Sequence, residues 1–125
     1  MLVDDNEIDN FINCKMVEGT HFADQVYIHS SSKSAIEFLK NIEQAGPTAI
    51  SLLPDIIFLD VNMPMMDGFG FVEEFNKLKC RQSAPMKIIM LTTSTNPADI
   101  DRAKRLGVIY KYLNKPLSEE ELERI

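Results

Sequence analysis

Short apolar runs alternate with amphipathic stretches along the whole chain, and this alternation restricts the fold more than any other feature. Two runs, residues 56–59 and 88–91, are apolar at every position, as expected of central strands that helices cover on both faces. Strands are predicted at residues 1–3, 25–29, 56–59, 87–91 and 109–113. Parallel strands separated by helices connect through right-handed crossovers. The pattern therefore predicts an α/β fold with an open, doubly wound parallel sheet of five strands.

Apolar residues at spacings of three and four predict helices between the strands. In chain order they are Ile8, Phe11, Ile12 and Met16; Ala35, Ile36, Leu39 and Ile42; Phe71, Val72, Phe75 and Leu78; and Ile100, Ala103 and Leu106. Asn96 before Pro97 predicts the start of the fourth helix, and Gly107 predicts its end. Ser118 and Glu121 have the spacing of a capping box and predict a fifth, short helix.

The chain has 125 residues, about the length of one domain. We therefore predict a single domain over residues 1–125. The first strand begins at residue 1 and the last helix is short, so we expect that both ends of the domain are trimmed. Residues 41–54 contain Gly46 and Pro47 and are predicted to form a long surface connection.

The charge balance excludes two classes of partner. There are 13 Lys and Arg residues against 19 Asp and Glu residues, a net charge of −6, whereas nucleic acids and anionic membranes require basic surface. No apolar run approaches the ~18 residues needed to span a bilayer, and no signal peptide opens the chain. We expect no direct nucleic-acid binding, no membrane insertion and a cytoplasmic location. Cys14 and Cys80 are too few for a disulfide framework.

Polar side chains follow four of the predicted strands. Asp4 and Asp5 come after the first strand, Asp60 after the third, Thr92 after the fourth and Lys115 after the fifth. In an open α/β sheet, the loops at the carboxyl ends of the strands form the ligand site. We therefore expect these side chains to gather at one edge of the sheet.

Three neighbouring carboxylates repel one another, so the predicted cluster makes physical sense mainly around a cation. Oxygen ligands suit Mg²⁺, which takes one or two carboxylates together with water and phosphate oxygens. A remaining carboxylate can attack phosphorus and form an aspartyl phosphate, and Lys115 and the Thr92 hydroxyl could then stabilise the phosphoryl oxygens. Each acidic residue alone could instead form a turn or cap a helix, and either Asp5 or Asn6 could cap the first helix.

Four segments carry a family resemblance. They are LVDDN at 2–6, FLDVNMPMMDG at 58–68, IIMLTTS at 88–94 and YLNKPL at 112–117. In this order, and spanning nearly the whole chain, they resemble the receiver domain of bacterial two-component response regulators. The resemblance implies a flavodoxin-like sheet with strand order 2-1-3-4-5 and five helices.

The resemblance also assigns roles to the acidic residues. Asp60 is similar to the phosphoacceptor of the family. Asp4 and Asp5 are similar to the acidic pair that organises Mg²⁺, and Asp60 and the backbone carbonyl of Asn62 would complete the protein ligands. The implied cofactor is therefore Mg²⁺.

Three further residues match the family pattern. Thr92 is similar to the switch hydroxyl that moves toward the phosphoryl group, and Lys115 to the lysine that pairs with it. Tyr112 is similar to the aromatic residue whose rotamer changes on activation. The resemblance also implies a cis peptide bond between Lys115 and Pro116, the one kind of bond in which the cis form costs little energy.

The function that the resemblance implies is signalling. A sensor histidine kinase or a phosphotransfer protein would donate the phosphoryl group. The face built by the fourth helix, fifth strand and fifth helix would then control an unknown downstream protein or a second copy of the chain. On that face Arg102, Arg105 and Lys111 supply positive charge. Such a domain promotes only its own phosphorylation and dephosphorylation and is not otherwise an enzyme.

Two alternative functions are compatible with an acidic site of this kind. A haloacid-dehalogenase-type phosphatase needs a second aspartate two residues after the nucleophile as its acid and base, and here that position is Asn62. A phosphorylation-independent interaction module with the same fold is the other alternative. Such a module normally lacks one of the key residues, and here none is missing.

Overall fold

A five-stranded parallel sheet lies at the centre of the computed structural model, which describes residues 1–125. The strands are β1 (Leu2–Val3), β2 (Ile28–His29), β3 (Ile56–Leu59), β4 (Lys87–Thr92) and β5 (Ile109–Asn114). Their order is β2-β1-β3-β4-β5, and all neighbouring pairs are parallel. The predicted fold and strand order are confirmed. β1 and β2 are shorter than predicted, and β4 and β5 each extend one residue further.

Five α-helices connect and cover the strands. They are α1 (Glu7–Gly19), α2 (Ser32–Ala45), α3 (Gly68–Asn76), α4 (Pro97–Leu106) and α5 (Glu119–Glu123), with short 3-10 helices at Pro47–Leu52 and Cys80–Gln82. The predicted helix ends are confirmed. Asn6, and not Asp5, caps α1, and Asn96 caps α4. Gly107 ends α4 in the left-handed conformation, and the Ser118 hydroxyl accepts the N–H of Glu121 at the start of α5.

The sheet divides the apolar core into two clusters because successive residues of a strand point to opposite faces. On β3, Ile57 and Leu59 belong to the larger cluster, together with the buried apolar side chains of α2 and α3. Phe58 belongs to the smaller cluster, which contains Val17 of α1 and Leu122 of α5. Both faces of the sheet are therefore covered by helices, as the apolar runs of β3 and β4 predict.

The orientation of α1 differs from the one that its apolar residues suggest. Ile8, Phe11 and Ile12 are 70%, 63% and 45% exposed, whereas Asn10 and Asn13 are buried beside Val17. The asparagines face inward because both make hydrogen bonds there. The Asn10 amide donates to the carbonyl of Asp4 at 2.8 Å, and the Asn13 side-chain oxygen accepts from the N–H of Leu117 at 3.0 Å.

The predicted long connection over residues 41–54 is wrong in part. Its first five residues continue α2 to Ala45, and Pro47–Leu52 forms a 3-10 helix. The Tyr27 hydroxyl donates to the carbonyl of Leu52 at 2.9 Å and ties this segment to the start of β2. Alanine, isoleucine and leucine side chains of the segment are only partly covered, so the segment packs along the surface of the domain.

We expect His29 to make the stability of the protein depend on pH. Burial, helped by the charge of the N-terminal ammonium, lowers the pKa of His29 from its ordinary value of 6.5. As the pH falls below 6.5, His29 takes up a proton more readily in the unfolded chain than in the folded chain. The free energy of unfolding therefore decreases as the pH falls. We expect His29→Gln to flatten this slope, measured as urea midpoints between about pH 7.5 and about pH 5.5. Equal slopes in wild type and His29→Gln would contradict this reading.

Candidate functional site

Three carboxylates meet at the carboxyl edge of the sheet. The register of β1 against β3 places Val3 beside Leu59, and the Asp60 N–H donates to the carbonyl of Val3 at 3.0 Å. The residues that follow the two strands are therefore neighbours. Carboxylate oxygens of Asp4, Asp5 and Asp60 all lie within 4.8 Å of one another. Asp4 and Asp60 are buried and Asp5 is exposed, so the cluster opens to solvent on one side.

Lys115 brings a positive charge to this cluster from the end of β5. Its Nζ lies 2.5 Å from a carboxylate oxygen of Asp4, 2.9 Å from one of Asp9 and 3.4 Å from one of Asp60. The Lys115 side chain is only 7% exposed. Its backbone N–H donates to the carbonyl of Thr92 at 3.0 Å, which holds the end of β5 against the end of β4. The Lys115–Pro116 peptide bond is cis, as the family resemblance implies.

Burial and neighbouring charges have opposite effects on the pKa of Lys115, and likewise on the pKa of Asp4. Burial by itself would lower the pKa of Lys115, but its hydrogen bonds to Asp4 and Asp9 and the charge of Asp60 raise that pKa above its ordinary value. Lys115 is therefore a permanent cation at neutral pH. Burial raises the pKa of Asp4, although the contacts with Lys115 and with the N–H of Asn6 act in the opposite direction.

The donor set at this edge fits a hard divalent cation. All three acidic side chains offer oxygen atoms, and one of them is open to water, as expected for Mg²⁺, which retains several water ligands. A divalent ion would offset the repulsion that three adjacent carboxylates impose on each other. The backbone carbonyl of Asn62 is the fourth predicted ligand. Asn62 is exposed and follows the buried Val61, two residues after Asp60.

The two predicted switch residues, Thr92 at the end of β4 and Tyr112 in β5, are linked to each other through Ser94. Thr92 is fully buried, and its hydroxyl accepts the N–H of Ser94 at 3.2 Å. The Tyr112 hydroxyl donates to the carbonyl of Ser94 at 3.1 Å, and burial raises the pKa of Tyr112. The Ser94 hydroxyl in turn donates to Asp99 in the first turn of α4 at 2.7 Å. The loop after β4 thus connects the site to α4 and β5.

Three residues of α1 belong to the surroundings of the site but were not predicted from the sequence. Asp9 pairs with Lys115, Asn10 holds the carbonyl of Asp4, and Asn13 holds the N–H of Leu117 beyond the cis peptide bond. The sequence does contain an indication of this role, because a helix that starts after β1 has its first turn at the ligand edge of the sheet. Asn10 and Asn13 were not predicted because polar residues at this spacing usually lie on the solvent-facing surface of a helix.

No helix of the structure has both the length and the apolar character required to cross a membrane.

Comparisons with known proteins agree with this geometry. The family model described as the response regulator receiver domain matches residues 1–125. A two-component response regulator from Cytophaga hutchinsonii is 28% identical with a TM-score of 0.85, covering 98% of this chain and 89% of that one. A response regulator receiver protein from Dyadobacter fermentans is 27% identical with a TM-score of 0.82, covering 98% and 90%.

A curated relative shows the same domain within a longer protein. A protein-glutamate methylesterase/protein-glutamine glutaminase from Methanococcoides burtonii is 30% identical over 127 residues. The match covers 100% of this chain but only 32% of that protein. The chain therefore spans about a third of the length of this relative, and the likeness concerns the receiver domain alone. The family model and the matching structures each cover nearly all residues, and on this evidence the chain belongs to the response regulator receiver domain family.

Proposed function

We propose that Asp60 accepts one phosphoryl group in a reaction that requires Mg²⁺. The observation that carries this proposal is the meeting of three carboxylates with the Lys115 ammonium, whose Nζ lies 3.4 Å from Asp60. A carboxylate cluster with a built-in cation can hold a metal ion and a phosphoryl group side by side. The donor would be a sensor histidine kinase or a phosphotransfer protein, as is usual for the family.

The residues of the site divide the chemistry between them. A carboxylate oxygen of Asp60 attacks phosphorus, the new O–P bond forms, and the bond from phosphorus to the donor breaks with its electron pair leaving on the donor. The Lys115 ammonium neutralises phosphoryl oxygens. Asp4, Asp5, Asp60 and the carbonyl of Asn62 would hold Mg²⁺, which supplies further positive charge to the equatorial oxygens.

Rearrangement of the Thr92–Ser94–Tyr112 chain would report phosphorylation to the surface. The phosphoryl group carries a charge of about −2 and three strong acceptor oxygens. The Thr92 hydroxyl can exchange its bond with Ser94 for one with a phosphoryl oxygen. Movement of Ser94 would then break the bond from Tyr112 and let its ring turn inward.

The face formed by α4, β5 and α5 is where we expect this change to be recognised. Arg102 and Arg105 of α4 are exposed. The Arg102 guanidinium lies over the ring of Phe69 in α3, 4.3 Å from its centroid, so this side chain is directed toward α3. Lys111 donates to the carbonyl of Arg124 at the end of α5. A downstream protein or a second copy of this chain would bind this face when Asp60 carries phosphate.

The proposed reaction is confined to the protein itself. The residue two positions after Asp60 is Asn62, which cannot donate and accept protons as an aspartate would, so repeated turnover of free phosphate esters is not expected. We therefore propose a phosphoacceptor that promotes only its own phosphorylation and dephosphorylation.

Intact mass measurement tests the proposed function. Incubation with a small-molecule phosphoryl donor and Mg²⁺ should add the mass of one phosphoryl group to the wild-type protein. Chelation of the metal with EDTA should prevent the gain, because the phosphoryl oxygens then lack their divalent partner. No gain with Mg²⁺ present would contradict the proposal and favour a phosphorylation-independent interaction module.

A further inference from the structure

Asp9 is a fourth carboxylate beside the phosphoacceptor site, and it differs from the other three in its position. It lies in the first turn of α1 instead of following a strand, and it is not part of the cluster of Asp4, Asp5 and Asp60. Its carboxylate contacts the Nζ of Lys115 at 2.9 Å, closer than the 3.4 Å between Lys115 and Asp60. The Asp9 side chain is 30% exposed, and Lys115 is the cation that it pairs with.

Phosphorylation of Asp60 would add a new negative group that competes with the carboxylates for the Lys115 ammonium. The phosphoryl group on Asp60 adds negative charge that the Lys115 ammonium would neutralise. In the proposed site, Asp4 and Asp60 have Mg²⁺ as a second cation. Asp9 has no such alternative, so its carboxylate and the phosphoryl oxygens require the same ammonium group.

The space around the ion pair allows Asp9 to release Lys115. A cavity of about 190 Å³ lies beside it, lined by Asp9, Ile12, Asn13, Thr93, Lys115 and Pro116. Because this cavity borders solvent-exposed residues of α1, the Asp9 carboxylate can turn toward water when Lys115 moves to a phosphoryl oxygen. The separated Asp9 carboxylate would then be solvated by water, so its loss of the Lys115 contact costs little free energy.

We propose that Asp9 is a positioning residue that holds Lys115 in competition with the phosphoryl group on Asp60. This inference rests on the proposed function, since it concerns regulation of the same site. Asp9 favours the unphosphorylated state and lowers the affinity of the site for a phosphoryl group. It also links Lys115 to α1, whose outer face carries the exposed Ile8, Phe11 and Ile12.

Binding of beryllofluoride, a mimic of the phosphoryl group, tests this role. With Mg²⁺ in excess, a ¹⁹F NMR titration gives the dissociation constant for each variant. We expect Asp9→Asn to bind about fivefold more tightly than wild type, which corresponds to about 1 kcal/mol. Asp9→Glu restores the carboxylate and should bind within about twofold of wild type. If Asp9→Asn does not fold, Asp9→Ser takes its place with the same expected direction.

Glu7→Gln is the matched control, because Glu7 is an exposed acid in the same helical turn with no contact to Lys115. It removes the same charge from α1 and should change the dissociation constant by less than about twofold. Equal affinities for Asp9→Asn and Glu7→Gln, or weaker binding by Asp9→Asn, would overturn the role of Asp9 and leave the proposed function intact. Absence of bound beryllofluoride in the wild-type protein would overturn both.

Discussion

Asp60→Asn is expected to abolish phosphoryl uptake and to leave the protein folded. An amide oxygen is a far weaker nucleophile than a carboxylate, and it cannot form a stable acyl phosphate. The substitution also removes one of three mutually repelling charges, while Lys115 keeps its contacts with Asp4 and Asp9. The lost buried contact with Lys115 and the relieved repulsion from Asp4 and Asp5 act in opposite directions, so we expect the free energy of unfolding without Mg²⁺ to change by less than about 1 kcal/mol. Intact mass and urea denaturation measure the two effects.

Asp55→Asn is the matched control for this prediction. Asp55 immediately precedes β3, at the opposite end of the strand from Asp60, and it is exposed. The same chemical change there should leave phosphoryl uptake at the wild-type level, because the residue lies at the amino edge of the sheet. A gain of one phosphoryl group by Asp60→Asn would place the acceptor on another residue and contradict the assignment.

The strand pattern and the family resemblance together predict that Asp4 and Asp60 are neighbours. Apolar runs located β3 and β4 in the centre of the sheet, and acidic residues that follow parallel strands must emerge at the same edge. The family resemblance added the strand order, which places β1 next to β3. The meeting of these two carboxylates follows from strand order and register, and both depend on many residues at once.

The interior face of α1 could not be predicted in the same way. Periodicity shows which residues share a helix face, but it does not show which face the sheet covers. Asn10 and Asn13 are buried because backbone groups of Asp4 and Leu117, far apart in sequence, need hydrogen-bond partners there. Such a requirement appears only when the three segments are brought together in the fold.

The Asp9 contact was hidden for a related reason. An acidic residue in the first helical turn is ordinarily explained by the helix dipole, and nothing local points to a lysine 106 positions away. The bonds of Ser94 with Thr92 and Tyr112 likewise depend on the backbone path of the loop after β4. The sequence therefore predicts the groups that we propose for the chemistry, but not the groups that hold them in place.

Gly68→Ala is expected to lower the free energy of unfolding by on the order of 3 kcal/mol. A Cβ at position 68 would lie 2.4 Å from the carbonyl oxygen of Asp60 and 3.0 Å from the Cα of Val61. Both are backbone atoms in a buried segment, so the strain cannot be relieved by a side-chain rotation. The backbone on which the Asp60 carboxylate depends must move instead, and we expect weaker Mg²⁺ binding as well. Urea denaturation and titration calorimetry provide the measurements.

Gly19→Ala separates this steric effect from a general effect of adding a methyl group. Gly19 is the last residue of α1, and a Cβ there meets no atom within 4 Å. Alanine favours the helical conformation and restricts the unfolded chain, so this variant should be as stable as wild type or more stable by up to about 1 kcal/mol. The contrast between two chemically identical substitutions follows from a single close approach, that of Gly68 to the backbone of Asp60. If Gly68→Ala were as stable as Gly19→Ala and bound Mg²⁺ with wild-type affinity, the close approach of Gly68 would not constrain the backbone of Asp60, and the steric explanation would be wrong.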